Sequence, residues 1–372
     1  MVRTLLSYPS HVKAEDVGYG LLLQMAARAG DRGCMEVLLR HHIDVNASGY
    51  YYGTALQAAS RVGNIDMVQM LLDTHADVNL LQGKYGTAFR AAVKGEHLLV
   101  AESLLRHGAD VKLRSKEKGY GPTGDSQPIL HLAIHQGNNA MAGILLANGA
   151  DVNAPDDASR GNEYFHDKEA SPRHVACDKG YQSLAAMLLA HGAYIEKRVG
   201  TFHSPLQLAA SVGHFSVVQL LIKAGANLNS FADKSQGTAL SIASSNGLRK
   251  VATALIKAGA SIGGSPDMPN ALAAACRHDH RTIVDNLLEE LFGTEHEESI
   301  CCEALAAACA DHDDNIAQIL LERVKPWSSA SLQQVCAAGL EDSLTMMLEK
   351  GVNVHDVDDN GGHAIHTAAS HL

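Results

Sequence analysis

Three cationic residues recur at one interval in this 372-residue chain: Arg28, Arg61 and Lys94 stand 33 residues apart. Tyr19, Tyr52 and Tyr85 keep the same 33-residue interval, and Phe202 falls at the equivalent position further on. Neither set is a catalytic pattern. A row of cations attracts an acidic polypeptide, and tyrosine offers rigid contact area with a polar tip. The cations form either a ladder for an acidic protein partner or a solvated face. The aromatic residues form either an interface or a turn-to-turn stack that stiffens the chain, and the two roles are compatible.

Other chemistry is hard to find. There is no phosphate-binding glycine loop, no H-E-x-x-H pair, no G-x-S-x-G elbow and no dinucleotide fingerprint. Of the 21 histidines, only His278-Asp279-His280 and His312-Asp313-Asp314 look like ligand clusters. Ligands two residues apart at a helix end suit one metal ion poorly. The expectation is no catalytic residue, no metal, no cofactor and no enzyme. The seven cysteines include no C-x-x-C pair, which argues against a zinc finger or redox pair. Cys301 and Cys302 are adjacent and read as structural thiols, a reactive pair being the alternative.

The elements that position these residues follow from a repeat. Tyr52–Val78 reads YGTALQAASRVGNIDMVQMLLDTHADV, and Tyr85–Val111 repeats it as YGTAFRAAVKGEHLLVAESLLRHGADV. A polar turn opens an Ala-rich helix, a glycine closes it, and a second helix carries a Leu-Leu pair. Anchored on that pair, further copies fall at Leu38, Leu145, Leu188, Leu221, Leu255, Leu287, Leu320 and Met347. A fixed period of this length is the signature of a stacked helical array. The opening Ser or Thr can cap an orphan N–H; the later copies NALAAAC, EALAAAC and SLQQVCA have lost it. Cys177, Cys276, Cys309 and Cys336 share one slot in the first helix, where Ser60 and Ala210 also fall. Such a slot is buried and size-limited, and free Cys behaves there as a small hydrophobe.

SPLQLA at Ser204, PILHLA at Pro128 and the GADVN run Gly149–Asn153 resemble the ankyrin repeat family, and GTALQAAS resembles its fungal-type arrays. The resemblance implies an all-α solenoid of stacked helix–turn–helix units with β-turn fingers. It also implies partner binding through the concave groove and turn tips. His131, His174 and His366 stand at the family's signature histidine, which the resemblance implies bonds backbone between repeats. The expected domain organisation is a single array over residues 1–372, of about ten repeats. Partial repeats at 1–15 and 361–372 would serve as makeshift caps, the alternative being an array that continues. Insertions around Leu113–Gln127 and Pro155–Ala170 read as extended turns, with Tyr120, Tyr164 and Phe165 in or beside them.

Repeat quality falls from about residue 265, where the mid-repeat glycine becomes Asp279 and then His312. Charge shifts with it. Residues 267–360 hold 19 acidic and 5 basic side chains, a net of −14, against 22 and 25 elsewhere. No apolar run approaches the ~18 residues that span a bilayer, and the first residues lack a signal peptide's apolar core. The expectation is an intracellular protein, cytoplasmic or nuclear, acting as a protein–protein interaction scaffold. It would bind no nucleic acid directly and enter no membrane. A transcription co-regulator, or the repeat-sensor portion of a larger signalling protein, is the alternative.

Overall fold

The computed structural model describes residues 17–41, 43–49, 52–113, 127–154, 171–196, 204–231, 237–263, 270–294, 296–323, 329–353 and 355. Their helices come in pairs. The first five pairs are α1 (Val17–Ala29) and α2 (Arg32–Arg40), α3 (Ala55–Val62) and α4 (Ile65–Asp73), α5 (Ala88–Lys94) and α6 (Leu98–Arg106), α7 (Ile129–His135) and α8 (Asn139–Ala147), α9 (Pro172–Asp178) and α10 (Gln182–Ala190). Then follow α11 (Pro205–Val212) and α12 (Phe215–Lys223), α13 (Ala239–Ser245) and α14 (Arg249–Lys257), α15 (Ala271–Cys276) and α16 (Arg281–Leu291), α17 (Glu297–Ala310) and α18 (Asp314–Arg323), α19 (Ser329–Ala338) and α20 (Glu341–Glu349). Isolated antiparallel bridges, Gly49–Gly53 and Gln82–Gly86, close the turns that precede α3 and α5. These are the fingers of an all-α ankyrin-type stack. Both insertions (at 114–126 and 155–170) and both partial repeats lie outside the described residues.

The chain divides into two compact units, Met1–Ala176 with Ser183–Ala193, and Cys177–Gln182 with Tyr194–Leu372. Within the first, first helices pack on first helices, α1 on α3 and α3 on α5, and second on second, α4 on α6 and α6 on α8. Within the second, α13 packs on α15, α15 on α17 and α17 on α19, with α14 on α16 and α18 on α20. The Leu-Leu anchor explains this. Leu71, Leu104 and Leu145 are fully buried in the first unit, as are Leu221, Leu255 and Leu287 in the second. Each such leucine contributes about 1.5–3 kcal/mol, and each needs a neighbouring repeat to cover it. The shared slot is buried, with Ser60, Cys177 and Ala210 fully so and Cys276 nearly so, but Val93 and Ile134 fill the same position and are also fully buried, so its size limit varies from repeat to repeat.

Helix starts follow from the polar turn. The Thr54 hydroxyl accepts from Gln57 N at 3.3 Å while Gln57 Oε1 accepts from Thr54 N at 2.9 Å, a reciprocal capping box. Ser204 and Gln207 repeat it. The same glutamines also tie adjacent repeats together. Gln57 Nε2 donates to Leu80 O and Gly86 O, and Gln207 Nε2 to Ser230 O and Gly237 O. The later copies did not all lose their cap. Asn270 stands where Thr stood, and its Oδ1 accepts from Ala273 N at 2.7 Å. The copy EALAAAC differs more: α17 begins at Glu297, well before Glu303. No Gly-Thr turn interrupts EESICCEAL, so the helix runs on through the finger position.

The mid-repeat turn needs a left-handed backbone, and Gly63 supplies it at φ 78°. Asp279 and His312 hold the same turn at φ 52° and 55°. So does Glu96 at φ 61°, within an early repeat, because the glycine there has slipped to Gly95. A side chain in this region is strained by about 1–2 kcal/mol, of which glycine's extra chain entropy offsets a part. Glu96→Gly is therefore expected to stabilise the first unit by about 0.5–1 kcal/mol. Urea unfolding would show the midpoint rise, and a fall would mean that Glu96 makes a stronger contact than its exposure suggests.

Candidate partner-binding surface

Each short first helix of the leading repeats carries a cation on its last turn, Arg28 on α1, Arg61 on α3 and Lys94 on α5. A cation suits the negative end of the helix dipole, but these side chains do more. They reach back across the stack to tyrosines at the helix starts. The Arg28 guanidinium carbon lies 5.4 Å from the centre of the Tyr52 ring, which belongs to the following repeat. Arg61 repeats the contact on Tyr85 at 5.7 Å, and Lys94 Nζ lies 5.5 Å from that same ring. Tyr52 and Tyr85 are themselves 6.1 Å apart, tilted by 31°.

The two rows read from the sequence are thus one interleaved ladder. Each cation–π contact is worth about 0.5–1 kcal/mol at an exposed site. Each also fixes a long side chain that would otherwise lose rotamer freedom on meeting a partner. Arg28 is exposed, whereas Arg61 and Lys94 are half-buried, with the Nε of Arg61 inside the stack. Tyr85 is only 7% exposed and Tyr52 half-buried. Tyr85 has little surface left to offer and serves chiefly to hold the cations. Tyr19 lies in α1, but its side chain is outside the described residues, and so is the whole of Phe202. Tyr120, Tyr164, Phe165 and His366 are outside them too. His135 follows in register, exposed at the end of α7. In the second unit Asp178 takes that position and pairs with Lys179 at 3.5 Å.

The helix ends that bear the ladder are anchored from the next repeat. His97 Nε2 bonds Arg61 O at 3.2 Å, and Gln136 Nε2 donates to Lys94 O at 3.4 Å. In the second unit His214 bonds Asp178 O and His280 bonds Ser245 O in the same way. These histidines precede the second helix. They tie successive repeats through a helix-end carbonyl. His174, at the signature position, uses Nδ1 on Ser171 of its own turn at 2.7 Å. His107 and His191 bond the fourth carbonyl back in their own helices, at 2.8 Å and 2.9 Å.

The ligand-like clusters serve the fold as well. Asp279 pairs with Arg281 at 2.9 Å, His312 Nδ1 bonds Ala338 O, and Asp313 caps Ile316 N. Among the described residues no three His, Cys, Asp or Glu side chains converge as a metal site. Nor is any helix among them long and apolar enough to cross a membrane.

Two buried arginines were not expected. Arg90, 2% exposed, occupies the column of Gln57 and reaches the next repeat through Nη1 to Gln127 O at 2.6 Å. Its place four residues into TAFRAAV was the available signal, since that column holds Gln57, His131, His174 and Gln207 in other repeats. Arg173, 1% exposed, fills a column that Leu56 and Leu206 fill elsewhere, and donates to Ala193 O at 3.4 Å.

Paired helices, finger turns and inter-repeat side-chain ties define a stacked helical repeat array. The profile of the family described as "Ankyrin repeats (3 copies)" matches residues 1–82, 88–199 and 174–266, and the chain belongs to the ankyrin repeat family. Rabankyrin-5 of mouse is 33% identical over 107 residues, 28% of this chain and 9% of that protein, and human Rabankyrin-5 matches to the same extent. A transient receptor potential cation channel subfamily A member 1 homolog of Caenorhabditis elegans is 34% identical over 113 residues, 30% of this chain and 8% of that protein. The chain therefore spans less than a tenth of the length of these relatives. The crystal structure of the human ASB11 ankyrin repeat domain is similar at 24% identity and a TM-score of 0.49, covering 65% of this chain and 99% of that one. Ankyrin repeats are, as a class, protein–protein interaction modules and typically non-catalytic.

Proposed function

We propose that this chain is an intracellular, non-catalytic interaction scaffold whose leading repeats hold an acidic segment of a protein partner. The observation that carries this reading is the interleaving of Arg28, Arg61 and Lys94 with Tyr52 and Tyr85. Three cations are held by ring contacts at successive helix ends, Arg28 exposed and Arg61 and Lys94 half-buried, so a partner's carboxylates would meet donors already ordered. The two units would together form one array over residues 1–372. A net charge of −11 disfavours a phosphate backbone as the ligand. Seven free cysteines, mostly buried, suit a reducing compartment. A second reading, the recognition part of a longer signalling polypeptide, is favoured by the small share of each relative that matches.

Fluorescence anisotropy with a labelled Glu-rich peptide tests the main reading. Arg61→Glu with Lys94→Glu should weaken binding about tenfold or more, through slower and less salt-dependent association. Circular dichroism would establish that the variant is folded. Equal binding by wild type and a folded double variant would remove the ladder as the site.

A further inference from the structure

Where the chain descends from a second helix toward a finger, one column of residues binds the next repeat. Asn46 Oδ1 accepts from Asp77 N at 2.8 Å and Asn79 Oδ1 from Asp110 N at 2.9 Å. In the second unit Glu196 Oε1 accepts from Asn227 N at 2.7 Å and Asn229 Oδ1 from Ser261 N at 2.8 Å. Gly263 stands next in that column and has no side chain to continue the tie. The repeat that follows departs from the pattern as well. α16 runs for 11 residues where α14 runs for 9, Gly293 turns the chain at φ 75°, and α17 starts without a finger.

A cleft of about 540 Å³ lies between these segments. Four aliphatic side chains line it: Ile256 of α14, Ile262, Leu291 of α16 and Ile300 of α17. Leu291 and Ile300 are buried and the other two half-buried. Glu290 brings a carboxylate from the end of α16 and Glu303 a second from α17, both exposed. The second is fixed in place. Asn270, wholly buried, donates from Nδ2 to Glu303 Oε2 at 2.6 Å and to Ile300 O at 3.1 Å, while its Oδ1 caps α15. His296, Ser261, Thr294 and Ser299 complete the polar lining, and no lysine or arginine is among the described residues of the cleft. Lys257 ends α14 but stays outside the lining.

The volume falls within the roughly 300–1,000 Å³ of clefts that hold ligands, and the lining suits a cation on an aliphatic stem. Lysine and arginine lay their methylenes along apolar surface and keep the charged head outward. Here the isoleucines would take the stem, and the two carboxylates the head, in charge-assisted hydrogen bonds. A bare metal ion would leave the four aliphatic side chains without a role, and an anion would meet Glu290 and Glu303. The net charge of −14 over residues 267–360 draws a basic segment toward the same repeats. We propose that this cleft receives a lysine or arginine side chain from a basic segment of a protein partner. It is a second binding site, independent of the ladder and selective for the opposite charge.

Fluorescence anisotropy of a labelled peptide that alternates lysine with leucine, added to the full chain, gives the test. Glu290→Gln with Glu303→Gln should weaken binding about tenfold, as the loss of charge-assisted bonds would. The new amide at 303 keeps an oxygen for Asn270. Gly263→Leu should weaken binding to a similar degree while leaving every charge in place. A Cβ there meets Ile300 Cδ1 at 3.6 Å and Ser261 Oγ at 3.8 Å, ordinary contacts that the backbone tolerates. Glu341→Gln with Asp342→Asn removes two exposed charges of the same acidic repeats outside the cleft. That control should change binding less than about twofold, because such charges are screened. Circular dichroism would show that each variant is folded. A wild type that does not bind the peptide overturns the proposal, and so does a folded Gly263→Leu that binds as wild type does. Equal losses in the cleft and control variants would mean diffuse attraction and overturn it too. Spermidine that binds as tightly as the peptide, measured by calorimetry, would also overturn it, since the cleft would then hold a free amine. The ladder is tested separately by the Glu-rich peptide, so either site can fail without the other.

Discussion

Gln57→Ala is expected to destabilise the first unit by about 2–4 kcal/mol, measured by urea or thermal unfolding. The side chain is 1% exposed and makes three bonds at once. Its Oε1 accepts from Thr54 N at 2.9 Å, and its Nε2 donates to Gly86 O at 2.8 Å and Leu80 O at 3.0 Å. Alanine would leave a buried donor and two carbonyls short of a partner, at about 1–3 kcal/mol for a fully unsatisfied group. The total stays below three such penalties because Gly86 O keeps a bond from Gln82 N and Leu80 is only half-buried. Gln57→His should lose less, since His174 shows that an imidazole can still bond the helix-start residue. The effect should reach α5 as well as α3, because two of the bonds cross to the next repeat. A loss below 1 kcal/mol would mean that the glutamine caps its own helix and does not couple repeats.

That double role marks where sequence reasoning reached and where it stopped. The period, the helix pairs and the buried Leu71 and Leu104 columns were legible because burial repeats strictly with the helical unit. The caps were legible as a residue class, hydroxyl or amide before an Ala-rich run; treating Asn270 as a loss came from reading for Thr alone. The start of α17 was missed because a finger is recognised by its turn residues, and a segment without them simply continues as helix. The ladder was half legible. Equal spacing placed Arg28, Arg61 and Lys94 in one row and the tyrosines in another, yet spacing along a chain says nothing of reach across it. An arginine side chain leans back toward its helix start and is long enough to meet the ring of the following repeat. That reach turned two rows into one. His97 and Arg90 were overlooked for a related reason: their partners, Arg61 O and Gln127 O, are backbone atoms in a neighbouring repeat, which no motif records.

The cysteine slot offers the sharpest comparison in the second unit. Cys276 is 1% exposed, between first helices rich in alanine, in a column that holds Ser60 and Ala210 but also Val93 and Ile134 in other repeats. Cys276→Leu should overfill the contact between first helices and destabilise by about 1–3 kcal/mol, whereas Cys276→Ala removes one sulfur and should cost much less. Equal effects would mean that the slot is not size-limited. The thiol also predicts a response to alkali. Burial, with Cys301 and Asp313 nearby, pushes Cys276 up to about 12, and burial pushes Cys301 to about 12 and Cys309 to about 11. In the unfolded chain these thiols lose their protons near the ordinary value of about 8.5. Between those values the folded state binds more protons than the unfolded one, so stability falls as pH rises. The stabilisation is fully present below about pH 8.5 and drains away toward 11–12. Cys276→Ala should therefore flatten the decline of unfolding free energy between about pH 9 and 10.5, in the range opened by the thiol's ordinary value, while changing little at neutral pH. A variant that declines as steeply as wild type would show that Cys276 reaches water before the stack unfolds, and would place the weak point of these acidic repeats at the α15–α17 contact itself.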